Sequence, residues 1–156
     1  MVRLALIGCG AIGSTIARMV EDMPEIEAIY LYDRSRHMTD DLMRSLKKGK
    51  ILDDIDEIIE RSDIVIEAAS QEAAKQYVPM ALEKNKNVLI MSVGALVDPD
   101  FVKRIEDLAR RNRRRIYIPS GAIAGIDGLG AAAGGGSAAF SCRGACLWST
   151  TGPWRS

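Results

Sequence analysis

The residues whose types and spacing could do chemistry together stand near the start of the chain, in the run Gly8-Cys9-Gly10-Ala11-Ile12-Gly13. A strand-like apolar run, Val2 to Ile7, precedes it. Helical spacing at Ile12, Ile16, Met19, Val20 and Met23 follows, until Pro24 ends it. Between a strand and a helix, GxGxxG has a physical meaning. Gly8 permits a tight turn, Gly10 lets the backbone approach a pyrophosphate, and Gly13 lets the helix pack close to the strand. The helix N-terminus, with Ala11 and Ile12 in its first turn, then offers free N–H groups and a partial positive charge to phosphates. The pattern requires an acidic residue about 20 positions on, at the end of the next strand. Asp33 stands there, closing Ile26 to Tyr32. Its carboxylate can accept hydrogen bonds from ribose hydroxyls and would repel a 2′-phosphate, which favours NAD. Arg34 and Arg36 follow and pull toward NADP. A Gly-rich turn that binds nothing is the alternative. Glycines, context and spacing together favour a dinucleotide.

The elements that must position this loop alternate. Strand-like runs are Val2–Ile7, Ile26–Tyr32, Asp63–Ala69, Asn87–Met91 and Ile116–Ile118. Between them lie helical patterns: one at Met38, Leu42, Met43 and Leu46, closed by Gly49, and a short one at Ile55, Ile58 and Ile59. A third covers 71–84, where Pro79 predicts a kink or break. The last starts at Asp98-Pro99 and continues through Phe101, Val102, Ile105, Leu108 and Ala109. Near-continuous apolar strands alternating with helices predict an α/β fold, a Rossmann-type doubly wound parallel sheet covered on both faces. Ligands of such sheets bind beyond the carboxyl ends of the strands. Those ends carry small residues: Ala68-Ala69-Ser70, Ser92-Val93-Gly94-Ala95 and Ser120-Gly121-Ala122. They leave room for a nicotinamide ring and a small substrate, although small residues also suit turns.

Other groups read more blandly. His37, the single histidine, lies just past Asp33 near a helix start and reads as a surface residue. Glu67 sits on a strand that should be buried, either hydrogen-bonding near the ligand or as a satisfied structural carboxylate. The five arginines of Arg110 to Arg115 suit a helix C-terminus better than a nucleic-acid patch, because no aromatic residues interleave. Met19, Met23, Met38 and Met43 are expected in the core. Three cysteines, Cys9, Cys142 and Cys146, make neither a disulfide framework nor a zinc site, so no metal is expected.

The chain has 156 residues, with 21 basic and 21 acidic side chains and a formal net charge of zero. That argues against nucleic acid or an anionic membrane as partner. No apolar run reaches the ~18 residues of a membrane span, and no signal peptide is evident, which predicts a cytoplasmic protein. The neutrality hides a split. No acidic residue follows Asp127, and of the basic ones only Arg143 and Arg155 do. The segment after Asp127 is low in complexity, without a period of either kind. It divides the chain into a dinucleotide-binding domain over 1–127 and an aberrant, disordered tail over 128–156.

The runs IGCGAIG, IEAASQEA, SVGAL and IYIPSGAIAGIDGL are similar to the archaeal and bacterial L-aspartate dehydrogenase family, in order over about residues 2–129. GxGxxG and small strand ends alone would equally suit homoserine dehydrogenases or dihydrodipicolinate reductases, and SGAIAGIDGL is the most telling part. The resemblance implies oxidation of L-aspartate at Cα with NAD or NADP. The product, iminoaspartate, either hydrolyses to oxaloacetate and ammonia or serves NAD biosynthesis. Carried over by position, the cofactor would meet Gly8, Gly10, Ala11, Ile12, Gly13, Asp33, Arg34, Ala68, Ala69, Ser70, Ser92 and Gly94, with Ala122 beside the nicotinamide-bearing part. The resemblance also implies a second half carrying substrate binding, homodimer contacts and a catalytic histidine. Nothing after Leu129 matches it, and His37 is misplaced for that role. The expectation is a truncated or frameshifted copy without a catalytic residue of its own. A dinucleotide-binding module without activity is the alternative.

Overall fold

The computed structural model describes residues 1–119. Six strands form one parallel sheet: β1 (Val2–Ile7), β2 (Ile26–Tyr32), β3 (Gly49–Ile51), β4 (Ile64–Glu67), β5 (Asn87–Ile90) and β6 (Ile116–Tyr117). Five α-helices connect them: α1 (Ala11–Glu21), α2 (Arg36–Met43), α3 (Ile55–Arg61), α4 (Gln71–Glu83) and α5 (Pro99–Asn112). A 3-10 turn, Val93–Val97, precedes α5. The strand order β3-β2-β1-β4-β5-β6 is that of a Rossmann fold, with the order reversing between β1 and β4. The α/β reading therefore holds.

Strand alternation builds two cores from one strand. In β1, Leu4 and Leu6 face one way, packing with Ala17 of α1, Leu42 of α2 and Leu31 of β2. Ala5 and Ile7 face the other, packing with Ile58 and Ile59 of α3, Tyr77 and Val78 of α4 and Ile105 of α5. Both faces are covered, which is why the strands read as unbroken apolar runs. At the base of the sheet, Asp63 accepts hydrogen bonds from the Arg3 backbone N (2.8 Å), Nε (3.1 Å) and Nη2 (2.9 Å), tying the start of β1 to the start of β4.

Three local expectations change. Gly49 opens the edge strand β3, pairing with Ile29, rather than merely closing a helix. Three residues at an edge are too few to show a period. Helix α4 runs unbroken through Pro79, which is buried with Val78, Ala81 and Leu82 against the sheet. That packing outweighs the lost backbone bond. Met19 and Met23 are 69% and 47% exposed and Met38 is 37% exposed, so they are not core. Gly13 and Ala17, buried on the inner face of α1, bring the helix close to the sheet, with Ile16 and Val20 packing at its flank and Met19 turned outside. The small residues after Ser92 form the 3-10 turn. The arginines of Arg110 to Arg115 stand at the end of α5, where Arg113 takes the left-handed conformation (φ 54°) and closes the helix, as expected of cations at a C-terminus. The expected tail over 128–156 lies outside the described residues.

Candidate functional site

At the carboxyl end of β1 the chain turns through Gly8 at φ 98°, a left-handed conformation that L side chains rarely adopt. A Cβ there would also lie 2.6 Å from the backbone of Ala68, so the ends of β1 and β4 approach as only glycine allows. At Gly13 a Cβ would lie 1.9 Å from the carbonyl oxygen of Gly8, which is what lets α1 start directly beneath the loop. Gly10 is different in kind. A Cβ there would meet nothing within 4 Å. The fold does not need glycine at that position, so the missing side chain leaves room for something outside the protein.

Gly10 is also the N-cap of α1, and no side chain caps that terminus or places an acidic group in its first turn. The first backbone N–H groups of a helix have no intrahelical partner. At Ala11 and Ile12, which are exposed, they form a bare positive end. Asp33 braces the loop from the side. One carboxylate oxygen accepts from the Cys9 backbone N at 2.8 Å and the other from the Ser35 N at 2.9 Å. Each oxygen keeps a lone pair for a further donor. Cys9 is buried, and burial followed by the charge of Asp33 pushes its thiol up to about 12. It therefore stays protonated and unreactive at neutral pH.

A cavity of about 280 Å³ opens between these pieces, lined by Gly8, Gly10, Asp33 and Arg34 on one side and Ala68, Ala69 and Ser70 on the other. Seven of the expected cofactor residues thus share one wall-to-wall space. Ala11, Ile12 and Gly13 stand beside it at the helix start. Ser92 and Gly94 belong to the next strand end, and Gly94 packs on the side chain of Gln71. Ala122 lies outside the described residues. The sequence reading missed Ala73 and Tyr77, which complete the lining from α4. Their spacing from Ser70, one and two helical turns on, is the signal that could have found them. Tyr77 meets Tyr32 hydroxyl to hydroxyl at 3.3 Å and ring edge to ring face, and burial, then that contact, pushes its phenol up to about 12. Arg36 is tied to Asp53 and to Asp40, so of the two expected arginines it is Arg34 that reaches this cavity. His37 pairs with Asp41 at 2.8 Å on the surface.

Glu67 resolves to a satisfied structural carboxylate. It is fully buried and accepts from the Ala69 N (2.8 Å), the Ser70 N (3.1 Å), the Ser92 N (3.2 Å) and the Ser92 hydroxyl (2.8 Å). The N–H groups of these strand ends therefore point inward, to Glu67. Among the described residues no group of three or more His, Cys, Asp and Glu side chains could hold a metal ion.

Residues 8–119 match the family described as homoserine dehydrogenase, NAD binding domain. The chain belongs to this family. The glycine loop, the bare start of α1 and the open space at Gly10 fit the NAD(P) dinucleotide of that family. The L-aspartate dehydrogenase of Methanothermobacter thermautotrophicus is 39% identical over 136 residues, covering 86% of this chain and 52% of that protein. That of Methanosarcina barkeri is 41% identical over 134 residues, covering 85% and 49%. The solved aspartate dehydrogenase of Thermotoga maritima aligns with a TM-score of 0.62 at 29% identity, covering 84% of this chain and 51% of that one. This member of the NAD-binding family thus spans about half the length of the curated relatives it matches.

Proposed function

We propose that the chain is the cofactor-binding half of an NAD(P)-dependent L-aspartate dehydrogenase. About 40% identity to named L-aspartate dehydrogenases, over 85% and 83% of this chain, is the observation that supports this reading. When bound, the dinucleotide accepts a hydride from Cα of the amino acid. The residues of this chain bind and orient it. Gly8, Gly10 and Gly13 shape the loop, and the amides of Ala11 and Ile12 receive the pyrophosphate. Asp33 accepts from the adenosine ribose, with Arg34 at the rim. Ala68, Ala69 and Ser70 form the opposite wall, while Ser92 and Gly94 support the nicotinamide end. Ala122 would stand beside that end. The protein is read as cytoplasmic and without nucleic acid or membrane as partner, and the family resemblance implies a homodimer once the second half is present. Among the described residues no helix is long and apolar enough to cross a membrane.

Titration of the 156-residue chain with NADH, followed by fluorescence, tests the cofactor reading; no binding at millimolar NADH sinks it. Reduction of NAD is then followed with L-aspartate or L-homoserine. We expect slow or no turnover from this chain alone, because among the described residues no histidine stands at the carboxyl ends of β4 and β5. What turnover occurs should prefer aspartate. A preference for homoserine would move the substrate reading to the other branch of the family.

A further inference from the structure

Asp33 and Arg34 stand where two cavities meet. One runs from the glycine loop to α4 and is the cofactor space described above. The second, about 320 Å³, opens toward the β3 edge of the sheet. Its polar walls are Asp33 and Arg34 after β2, Arg36 and Thr39 of α2, and Asp53 after β3. The local fold fixes each of them. Arg36 opens α2, and the Thr39 hydroxyl donates to its carbonyl at 2.7 Å. Asp53 lies two residues past β3, whose Ile51 pairs with Leu31 of β2. It stands one residue before Asp54, whose side chain caps α3 by accepting from the Asp56 N at 2.9 Å. Pairing of β3 with β2 thus sets Asp53 beside Arg36, 17 residues away in sequence. The Arg36 guanidinium gives Nη1 to Asp53 and Nε to Asp40, the latter at 3.3 Å and one turn along its own helix.

A ribose 2′-hydroxyl accepted by Asp33 lies at the junction of the two cavities, so a phosphate on that oxygen would enter the second one. In a sheet of this order an arginine near the end of the second strand accommodates such a phosphate. Arg36 carries the charge and the planar fork for it. That fork is already taken. Two carboxylates hold it, and with Asp33 three aspartates meet two arginines, which leaves the wall net negative. Resting on the cofactor reading above, we propose that Asp53 sets a preference for NAD over NADP by holding Arg36 away from the 2′-phosphate position. The second cavity is then a phosphate site kept shut from the neighbouring strand end. The Arg36 and Asp53 side chains are 59% and 89% exposed, so their pair adds little to the stability of the fold. It still discriminates, because a dianion meets either a free guanidinium or one already neutralised.

The test titrates the full chain with NADH and NADPH by fluorescence. Wild type should bind NADH about tenfold more tightly than NADPH; equal binding, or a preference for NADPH, overturns the proposal. In Asp53→Asn the Kd for NADPH should fall about fivefold while that for NADH stays within about twofold. An unchanged ratio, or an equal change for both cofactors, overturns it as well. Two further variants separate release of Arg36 from mere loss of a negative charge. Asp41→Asn removes a carboxylate of the same helix that pairs with His37 and Arg44 and not with Arg36, so it should move the ratio less than about twofold. Adding Arg36→Gln to Asp53→Asn should erase the gain. A gain in Asp41→Asn as large as in Asp53→Asn, or one that survives the loss of Arg36, overturns the proposal. If wild type binds neither NADH nor NADPH, the cofactor reading itself fails, a result distinct from an unchanged ratio. Circular dichroism checks that each variant folds, and Asp53→Ser takes the same place in the scheme should Asp53→Asn not fold.

Discussion

The two halves of the sheet present opposite chemistry at the carboxyl ends of their strands. Around β1 and α1, polar groups are left open: bare helix amides, a glycine with empty space where a side chain would be, and a carboxylate with spare lone pairs. Around β4 and α4 they are closed, with amides and hydroxyls turned onto Glu67 and Ser70. The same strand-turn-helix geometry therefore leaves backbone donors open on one side and closes them on the other. The difference is made by a few side chains, not by the backbone plan.

The glycines break this comparison most sharply. Gly13→Val forces a side chain into the Gly8 carbonyl, 1.9 Å from the Cβ position, and should lower stability by about 3 kcal/mol in thermal melts and abolish NADH binding. Gly10→Val separates ligand from fold, because nothing lies within 4 Å of its Cβ. Stability should fall by only about 1 kcal/mol, the cost of Val at an N-cap, while NADH affinity falls about a hundredfold. A parallel loss of both would mean that the open space serves the fold instead. Asp33→Ala should weaken NAD about tenfold and NADP less, since the variant loses a ribose acceptor but also a repulsion toward a 2′-phosphate. Equal effects on the two cofactors would count against its ribose role. Gly94→Ala is the counterpart in the closed half. The atoms nearest its Cβ belong to the Gln71 side chain, at 2.4 Å, which can swing away, so the loss should stay below about 1 kcal/mol.

The smallest effect concerns how the halves are joined. The Arg3 guanidinium, by hydrogen bonding, holds the Asp63 carboxyl below its usual value. A carboxyl lowered in the folded state stabilises the fold fully above its ordinary range, and that stability is lost as pH falls through the folded value. Melting curves from neutral pH down through acid should therefore show Asp63→Asn least stable relative to wild type at neutral pH and converging with it in acid. A constant gap at every pH would remove the Arg3 pair from the account.

Most of this plan was legible because its signals are local. GCGAIG and Asp33 announce the loop through conformations and contacts that only particular residues permit. The apolar runs announce strands buried on both sides. What escaped the reading depends on long-range packing. The edge strand β3 exists because β2 offers it a partner, and α4 passes through Pro79 because the sheet holds its other residues. Met19 turns outward because Gly13 and Ala17 bring α1 close to the sheet. Tyr77 reached the cavity only when α4 was laid over it.

The amino-acid sequence by itself determined that an open, glycine-shaped helix start would stand beside an acidic strand end, because turn geometry and helix N-termini act within a few residues. Only the tertiary structure decided the fate of Glu67. Its two oxygens draw on Ala69 and Ser70 close by and on Ser92 across the next strand. A buried charge is tolerated only when all of those donors converge on it, and convergence is a property of the assembled sheet.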